Sequence, residues 1–296
     1  MKTLAAGLAA LTALTFSAQH RSTVHVGLQP TGLTSGAGSV WSANSGAGSV
    51  SRISPTSRKV LATIKVGDTP ASVSFGAGAV WVGDFTADAL YRIDPATDHV
   101  VATIHLQGPA VGIVPAPDGS IWVAEYSAGT VAHVDPATNT VVGRVTVGGK
   151  AEALAFAHGR LWVTNGGGYV TAVGPASGKQ LTRVKLGRDV DAIVATPKGL
   201  WATTYYAGIV ARIDPMRARV MRRLRIPGNA SGVTYARGSV WVSDAGLDRV
   251  DRIAPRRGKI KKSYAVGRTP RDLVQFGRGL WIVEQGSNDV RRIALP

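Results

Sequence analysis

The chain has 296 residues, a formal net charge of +16 at pH 7, 45% hydrophobic and 18% charged residues, and 36 glycines. That is enough chain for one large domain with a substantial core. It contains no cysteine, which excludes a disulfide framework, thiolate catalysis and a thiolate metal site.

In chain order, Met1–Ala18 reads as a secretory leader. Lys2 supplies the positive start, Leu4–Phe16 the apolar stretch, and Ser17 and Ala18 the small residues that follow. The segment is short for a membrane span, so the expected location is secreted or periplasmic, with a single domain over residues 19–296. Next comes Ser22–Gly27 (STVHVG), which matches Ala62–Gly67 (ATIKVG) further on but has no preceding partner strand.

From there the chain repeats. Seven tryptophans, Trp41, Trp81, Trp122, Trp162, Trp201, Trp241 and Trp281, are 39 to 41 residues apart, and each is followed at near-constant distance by a proline: Pro55, Pro95, Pro136, Pro175, Pro215, Pro255 and Pro296. A period of about 40 marks a repeat architecture. Within the unit around Trp122, Ala110–Val114, the strand at Trp122, Val131–Val134 and Val141–Val147 alternate with period two. Asp118-Gly119 and Asp135-Pro136 supply turns. A glycine stands two or three residues before every tryptophan (Gly38, Gly78, Gly119, Gly159, Gly199, Gly238, Gly279), as a hairpin turn with positive φ requires. Four strands repeated seven times predict an all-β, seven-bladed propeller with blades near 30–66, 70–106, 109–147, 150–186, 190–226, 229–266 and 270–293. The last unit lacks its outer strand, and Ser22–Gly27 is the spare one. The N-terminal strand is therefore expected to close the ring and remove two open sheet edges. The tryptophans are expected in the core, one per blade.

Two features point to function. The residue three after each tryptophan is polar: Asn44, Asp84, Glu125, Asn165, Thr204, Asp244 and Glu284, with Phe85, Tyr126, Tyr205 and Tyr206 in the same turns. They are expected to form a ring at one mouth of the central channel, where carboxylates paired between neighbouring blades suit a hard cation such as Mg²⁺ or Ca²⁺. The plainer alternative is that each is a strand terminus with turn chemistry. The second feature is charge. Residues 197–296 carry 20 Lys and Arg against 7 Asp and Glu. The excess lies on outer strands, at Arg219, Arg223 and Arg225 and at Arg257, Lys259 and Lys261, with the first three expected on one strand face. This flank suits an anionic polymer or nucleic acid. Few aromatic residues interleave with it, which disfavours single-strand binding, and solvated edge strands are the plain alternative.

The segments LWVTN (Leu161–Asn165) and RIDPAT…VVATI (Arg92–Ile104) resemble YVTN-type repeats, and DGSIWVAE (Asp118–Glu125) resembles the repeat of the virginiamycin B lyase family. The resemblance covers the whole mature chain and implies a seven-bladed propeller. It also implies Mg²⁺-assisted opening of a cyclic depsipeptide, with acidic metal ligands three after a blade tryptophan, a position that Glu125 and Glu284 match. The family's histidines follow the proline that begins an inner strand. Here those places read Thr31, Ala71, Ala110 and Arg271, with Ala151, Asp191 and Ala230 in the units without proline. The leading expectation is a secreted, non-catalytic propeller that binds a small ligand or protein at its channel mouth. The alternatives are a metal-dependent lyase with a rearranged acid and base, or polyanion binding through blades five and six.

Overall fold

The structure, a computed structural model, describes residues 22–296; the expected leader over 1–18 lies outside them. Among the described residues, 28 strands form seven four-stranded antiparallel sheets. Blade three shows the pattern: an inner strand Ala110–Pro115, then Ile121–Glu125, Thr130–Asp135 and the outer strand Thr140–Thr146. Six blades take their strands consecutively. The seventh consists of Pro270–Phe276, Gly279–Glu284 and Asp289–Ala294, completed by Thr23–His25, which pairs antiparallel with Asp289–Arg291. Ring closure through the N-terminal strand is thus present.

All seven tryptophans are 0–1% exposed, and they lie in the seams between blades. Trp41 of blade one packs with Val73, Val80, Val82 and Ile93 of blade two. At the closing seam, Val24, Val26, Trp281 and Val283 pack against Leu33, Val40 and Ile53 of blade one. The third-strand residue opposite each tryptophan often covers its ring. Arg52, Arg92 and Arg252 lie 5.3–5.6 Å from the centroids of Trp41, Trp81 and Trp241, and His133 stacks on Trp122 at 4.4 Å. Two of these arginines also stitch the ring. Arg52 Nη1 donates to Pro95 O and Asp98, and Arg92 Nη1 to Pro136 O and Asn139 Oδ1, in each case on the next blade.

The hairpin glycines behave as expected with one exception. Gly38, Gly78, Gly159 and Gly238 have φ near +70°, each after a residue that also has positive φ, the requirement of a type I′ turn. In the last blade the positive φ belongs to Gly277 and not to Gly279, because the two-residue loop there is Gly277-Arg278.

Strand direction alternates across each blade. The first-to-second and third-to-fourth turns therefore lie on one face of the disc. The second-to-third turns and the connections between blades lie on the other face. Each inner strand carries a bulge near its start: pairing passes from Pro30↔Asn44 to Gly32↔Ala43 in blade one, and from Ala151↔Asn165 to Leu154↔Val163 in blade four. The bulged residues open toward the channel.

Deleting Ser22–Gly27 removes the buried Val24 and Val26 and exposes a strand edge. A loss of about 3–6 kcal/mol from the two valines alone lowers the melting temperature on the order of 10 °C. A truncated protein that melts cooperatively with the parent would refute the closure.

Candidate functional site: an acidic channel mouth

The seven residues after the tryptophans do not form a ligand-facing ring. Asn44, Asp84, Glu125, Thr204, Asp244 and Glu284 are fully buried and Asn165 is 3% exposed. Each is taken up within its own blade. The carboxylate of Asp84 accepts from the backbone N–H groups of Asp68, Thr69, Thr86 and Ala87 at 2.8–2.9 Å. It thereby ties the incoming connection to the turn after its strand. Burial pushes its pKa up, but those four donors outweigh burial and hold it below the ordinary value. Glu125 accepts from Gln107 N, Thr130 Oγ1 and Arg144. Glu284 accepts from Gly267 N at 2.6 Å and pairs with Arg291. Asp244 accepts from Asn229 N and pairs with Arg249 at 3.2 Å. Asn44 donates to Ser51, Thr204 accepts from Ile209 N, and Asn165 accepts from Tyr169 N. The plain reading of strand termini with turn chemistry describes them.

The same geometry bears on the metal expectation. Glu125 and Glu284 have no exposed surface and each is neutralised by an arginine. Among the described residues no group of three or more His, Asp or Glu is placed to hold an ion. These residues do not fit a hard-cation centre.

The groups that do face the channel stand on the bulged inner strands. Aligned by register on the partners of the cap residues, Pro30, Pro70, Ala110, Ala151, Val190, Ala230 and Pro270 are in phase. The residues one further on are Thr31, Ala71, Val111, Glu152, Asp191, Ser231 and Arg271. This corrects the strand-start assignment of Ala110, Ala151 and Ala230, which is one residue early. Pro109 lies one position before the phase of Pro30, and the units without proline carry no marker. The pairing register brings Glu152 into the ring. No histidine enters the corrected ring.

Thr31, Asp191, Ser231, Arg271 and Asp272 line a channel cavity of about 370 Å³. An adjoining mouth of about 530 Å³ is lined by Glu152, Asp191 and Arg271 with Phe85 and Tyr126. Crowding at the axis is relieved by glycine: a Cβ on Gly112 would collide with the carbonyl oxygen of Glu152. Arg271 donates from Nε to Gln285 Oε1 at 2.9 Å, and its guanidinium lies 5.1 Å from the Tyr205 ring centroid. Phe85 and Tyr126 meet at 5.8 Å, with Lys150 Nζ 5.1 Å from the Tyr126 centroid. Of the aromatic residues expected at the mouth, Phe85 and Tyr126 line the space beside Glu152 and Asp191, and Tyr205 meets Arg271.

Three carboxyls share this space, and all are shifted upward. Burial, then Asp191 and Asp189, push Glu152 up to about 8 against the pull of Lys150. Burial raises Asp191 despite Arg271 and the Ser231 hydroxyl. Burial raises Asp272 to about 6, opposed by the N–H groups of Leu33 and Leu273 and reinforced by Asp191. The two N–H bonds to Asp272 measure 2.9 and 2.8 Å. Perturbed carboxyls gathered in a cleft are a physical marker of a functional site.

The basic flank is also rearranged. A bulge between Arg212 and Ile213 sets Arg219 opposite Asp214, but Arg223 opposite Ala211 and Arg225 opposite Ile209. The added residue reverses the alternation, so Arg219 does not share a strand face with Arg223 and Arg225. Arg223 donates to Lys185 O of blade four. Lys259 opposes Ala254 and, with Arg257 and Lys261, belongs to blade six.

No family model matches the chain, and no curated protein matches it significantly. Solved structures share its fold. Hydrazine synthase from Kuenenia stuttgartiensis aligns with TM-score 0.81 at 16% identity, covering 90% of this chain and 95% of that one. Virginiamycin B lyase from Staphylococcus aureus aligns with TM-score 0.81 at 17% identity over 93% and 99%. A catalytically inactive His-to-Ala variant of that lyase with quinupristin gives 0.79 at 18% identity over 93% and 96%. The chain is a seven-bladed propeller, a fold it shares with virginiamycin B lyase. At these identities the likeness is one of fold. Among the described residues no helix is long and apolar enough to cross a membrane.

Two measurements separate cap from site. Asp84→Ala strands several buried N–H groups and should cost on the order of 2–4 kcal/mol at neutral pH. Because the folded pKa is depressed, the charge-linked part of that stability is present above about pH 4 and is lost on acidification through the folded pKa. A cost below about 0.5 kcal/mol, the surface range, would free Asp84 from its capping role.

Glu152 has the opposite sign. Its folded pKa is raised from 4.5 to about 8, so the folded state holds a proton that the unfolded state has released. Stability should fall as pH rises from about 5 to about 8. Glu152→Gln should flatten that slope and gain on the order of 1–3 kcal/mol at pH 8, since one pKa unit is worth about 1.4 kcal/mol. An unchanged profile in denaturant melts would place Glu152 in water.

Proposed function

We propose that this protein is a secreted binding propeller that holds a small cationic ligand, or a cationic side chain of a protein, at its channel mouth. The observation that supports the reading most directly is that Asp191 lines two adjoining cavities, with Asp272 in one and with Glu152, Phe85 and Tyr126 in the other. Burial raises the pKa of all three carboxyls, and Asp191 adds to the rise at Glu152 and Asp272. A bound cation relieves both costs and draws them toward the ionised form. The aromatic rim suits an amidinium or ammonium attached to a flat or apolar body. Arg271, held by Gln285 and Tyr205, supplies one donor fork beside the acids and favours a ligand that also carries an acceptor oxygen.

A second reading, a lyase, is favoured by one observation. A carboxyl with a pKa near 8 is suited to exchange a proton near neutral pH, and Glu152 stands on the corrected strand-start ring where the lyase family is expected to place a histidine.

The test uses benzamidine as an aromatic cation and benzamide as its neutral analogue. Benzamidine should raise the melting temperature by mass action and release protons on binding at pH 7, read by calorimetry in two buffers. Benzamide should do neither, and Glu152→Gln should abolish the proton release. Equal binding of both compounds would refute a cation site. Incubation with a type B streptogramin, with and without Mg²⁺ or Ca²⁺, and mass spectrometry decide the lyase reading. Ring opening lost in Glu152→Gln would make the protein an enzyme.

A further inference from the structure

On the face opposite the acidic mouth, blades five and six enclose a cavity of about 610 Å³. Its walls come from the first-to-second turn of blade five, with Thr196, Pro197 and Lys198, and from blade six, with Tyr235, Arg256, Arg257 and Lys261. Four cations therefore converge on one cleft whose lining contains no carboxylate. Among the described residues Lys198, Arg256, Arg257 and Lys261 form no ion pair, although Arg217 in the third-to-fourth turn of blade five is paired with Asp214. The cleft is not simply a gap between loosely set blades. Arg222 of blade five crosses the seam, donates from Nη1 to Arg257 O at 2.9 Å, and lies so close over Gly258 that a Cβ there would collide with it. This contact fixes the turn that carries Arg256 and Arg257.

From the cleft the positive charge continues along the outer strands, through Arg219 and Arg222 on blade five and Lys259 and Lys262 on blade six, all exposed. A single small anion would use the cleft and leave that track empty; a linear polyanion would use both. The aromatic residues argue against nucleic acid. Tyr264, on the blade six outer strand, packs against Trp241 at 5.4 Å and is covered by Lys262, so it is not free to stack with a base. The arginines match phosphate, whose oxygens accept paired N–H donors.

We infer that the cleft between blades five and six binds a linear phosphate polymer, with one stretch seated among Lys198, Arg256, Arg257 and Lys261 and the rest lying on the basic outer strands. The site is separate from the channel mouth and does not depend on what binds there.

The probe is long-chain inorganic polyphosphate, titrated onto the full mature protein at several salt concentrations. Replacing Arg256, Arg257 and Lys261 by serine should flatten the slope of log affinity against log salt by about 2 and reduce binding at least tenfold near physiological salt. Tripolyphosphate should compete for the parent. The control replaces Lys59, Lys65 and Lys179, exposed residues of blades one and four, by serine. It removes the same charge and should keep most of the affinity. Both variants should melt with the parent, since all six side chains are exposed. Equal loss in the control would show that net charge alone binds the polymer and would overturn the site. Tighter, cleft-dependent binding of heparin or oligo-dT than of polyphosphate at matched charge would overturn the phosphate polymer as its occupant.

Discussion

Seven sheets that meet around one axis crowd their innermost strands, and much of this molecule follows from that crowding. Near the axis the neighbouring backbones come within reach of a single Cβ, so most positions there are glycine, alanine, serine or threonine. Gly112 has no room for a side chain because blade four's carbonyl occupies it. Large side chains fit only where a bulge turns them toward the open mouth. Glu152, Asp191 and Arg271 are therefore informative by position. Two acids and an arginine occupy a ring whose other members are Thr31, Ala71, Val111 and Ser231. Burial near the axis is also what shifts the acids' titration.

Further out the constraint is reversed, and large side chains are needed to fill the widening seams between sheets. One tryptophan per blade does this at constant phase, with arginine or histidine often lying across its ring. That requirement is why the architecture was legible from the sequence. A residue type demanded once per blade leaves a period, and the turns between strands leave glycine and proline at fixed offsets. The closure was legible for a related reason. A strand without a partner at one end of the chain and a blade lacking one strand at the other complete each other, and the pairing of Thr23–His25 with Asp289–Arg291 satisfies both.

The site was less legible, for two physical reasons. Periodicity identifies a ring but not which way its members face. The polar residues after the tryptophans repeat faithfully because every blade needs its strand end tied to the incoming connection. Asp84 with its four backbone donors shows how complete that use is. The channel residues repeat poorly because a site is asymmetric by nature, and they sit on bulges, where counting by twos fails. The basic flank follows the same rule: a bulge beside Ile213 turns Arg219 away from the face of Arg223 and Arg225. Bulges leave no period, and only the pairing register exposes them.

Charge is sorted by face as well as by blade. The mouth and channel hold three carboxyls with Arg271 and Lys150, while the cleft between blades five and six on the opposite face is lined by cations and by no carboxylate. Antiparallel blades produce this separation directly. Turns that share a face are contributed by different strand pairs, so substitutions in the third-to-fourth turns can make one face basic without touching the connections that build the mouth. A cation approaching the mouth must enter against the field of a strongly positive molecule. What holds it there is therefore local: the removal of water from the acids and their mutual repulsion when empty. An anion meeting the opposite face is drawn by the whole field before it reaches any one arginine. The two surfaces thus differ in how they recognise charge, the mouth at contact distance and the flank over the Debye length.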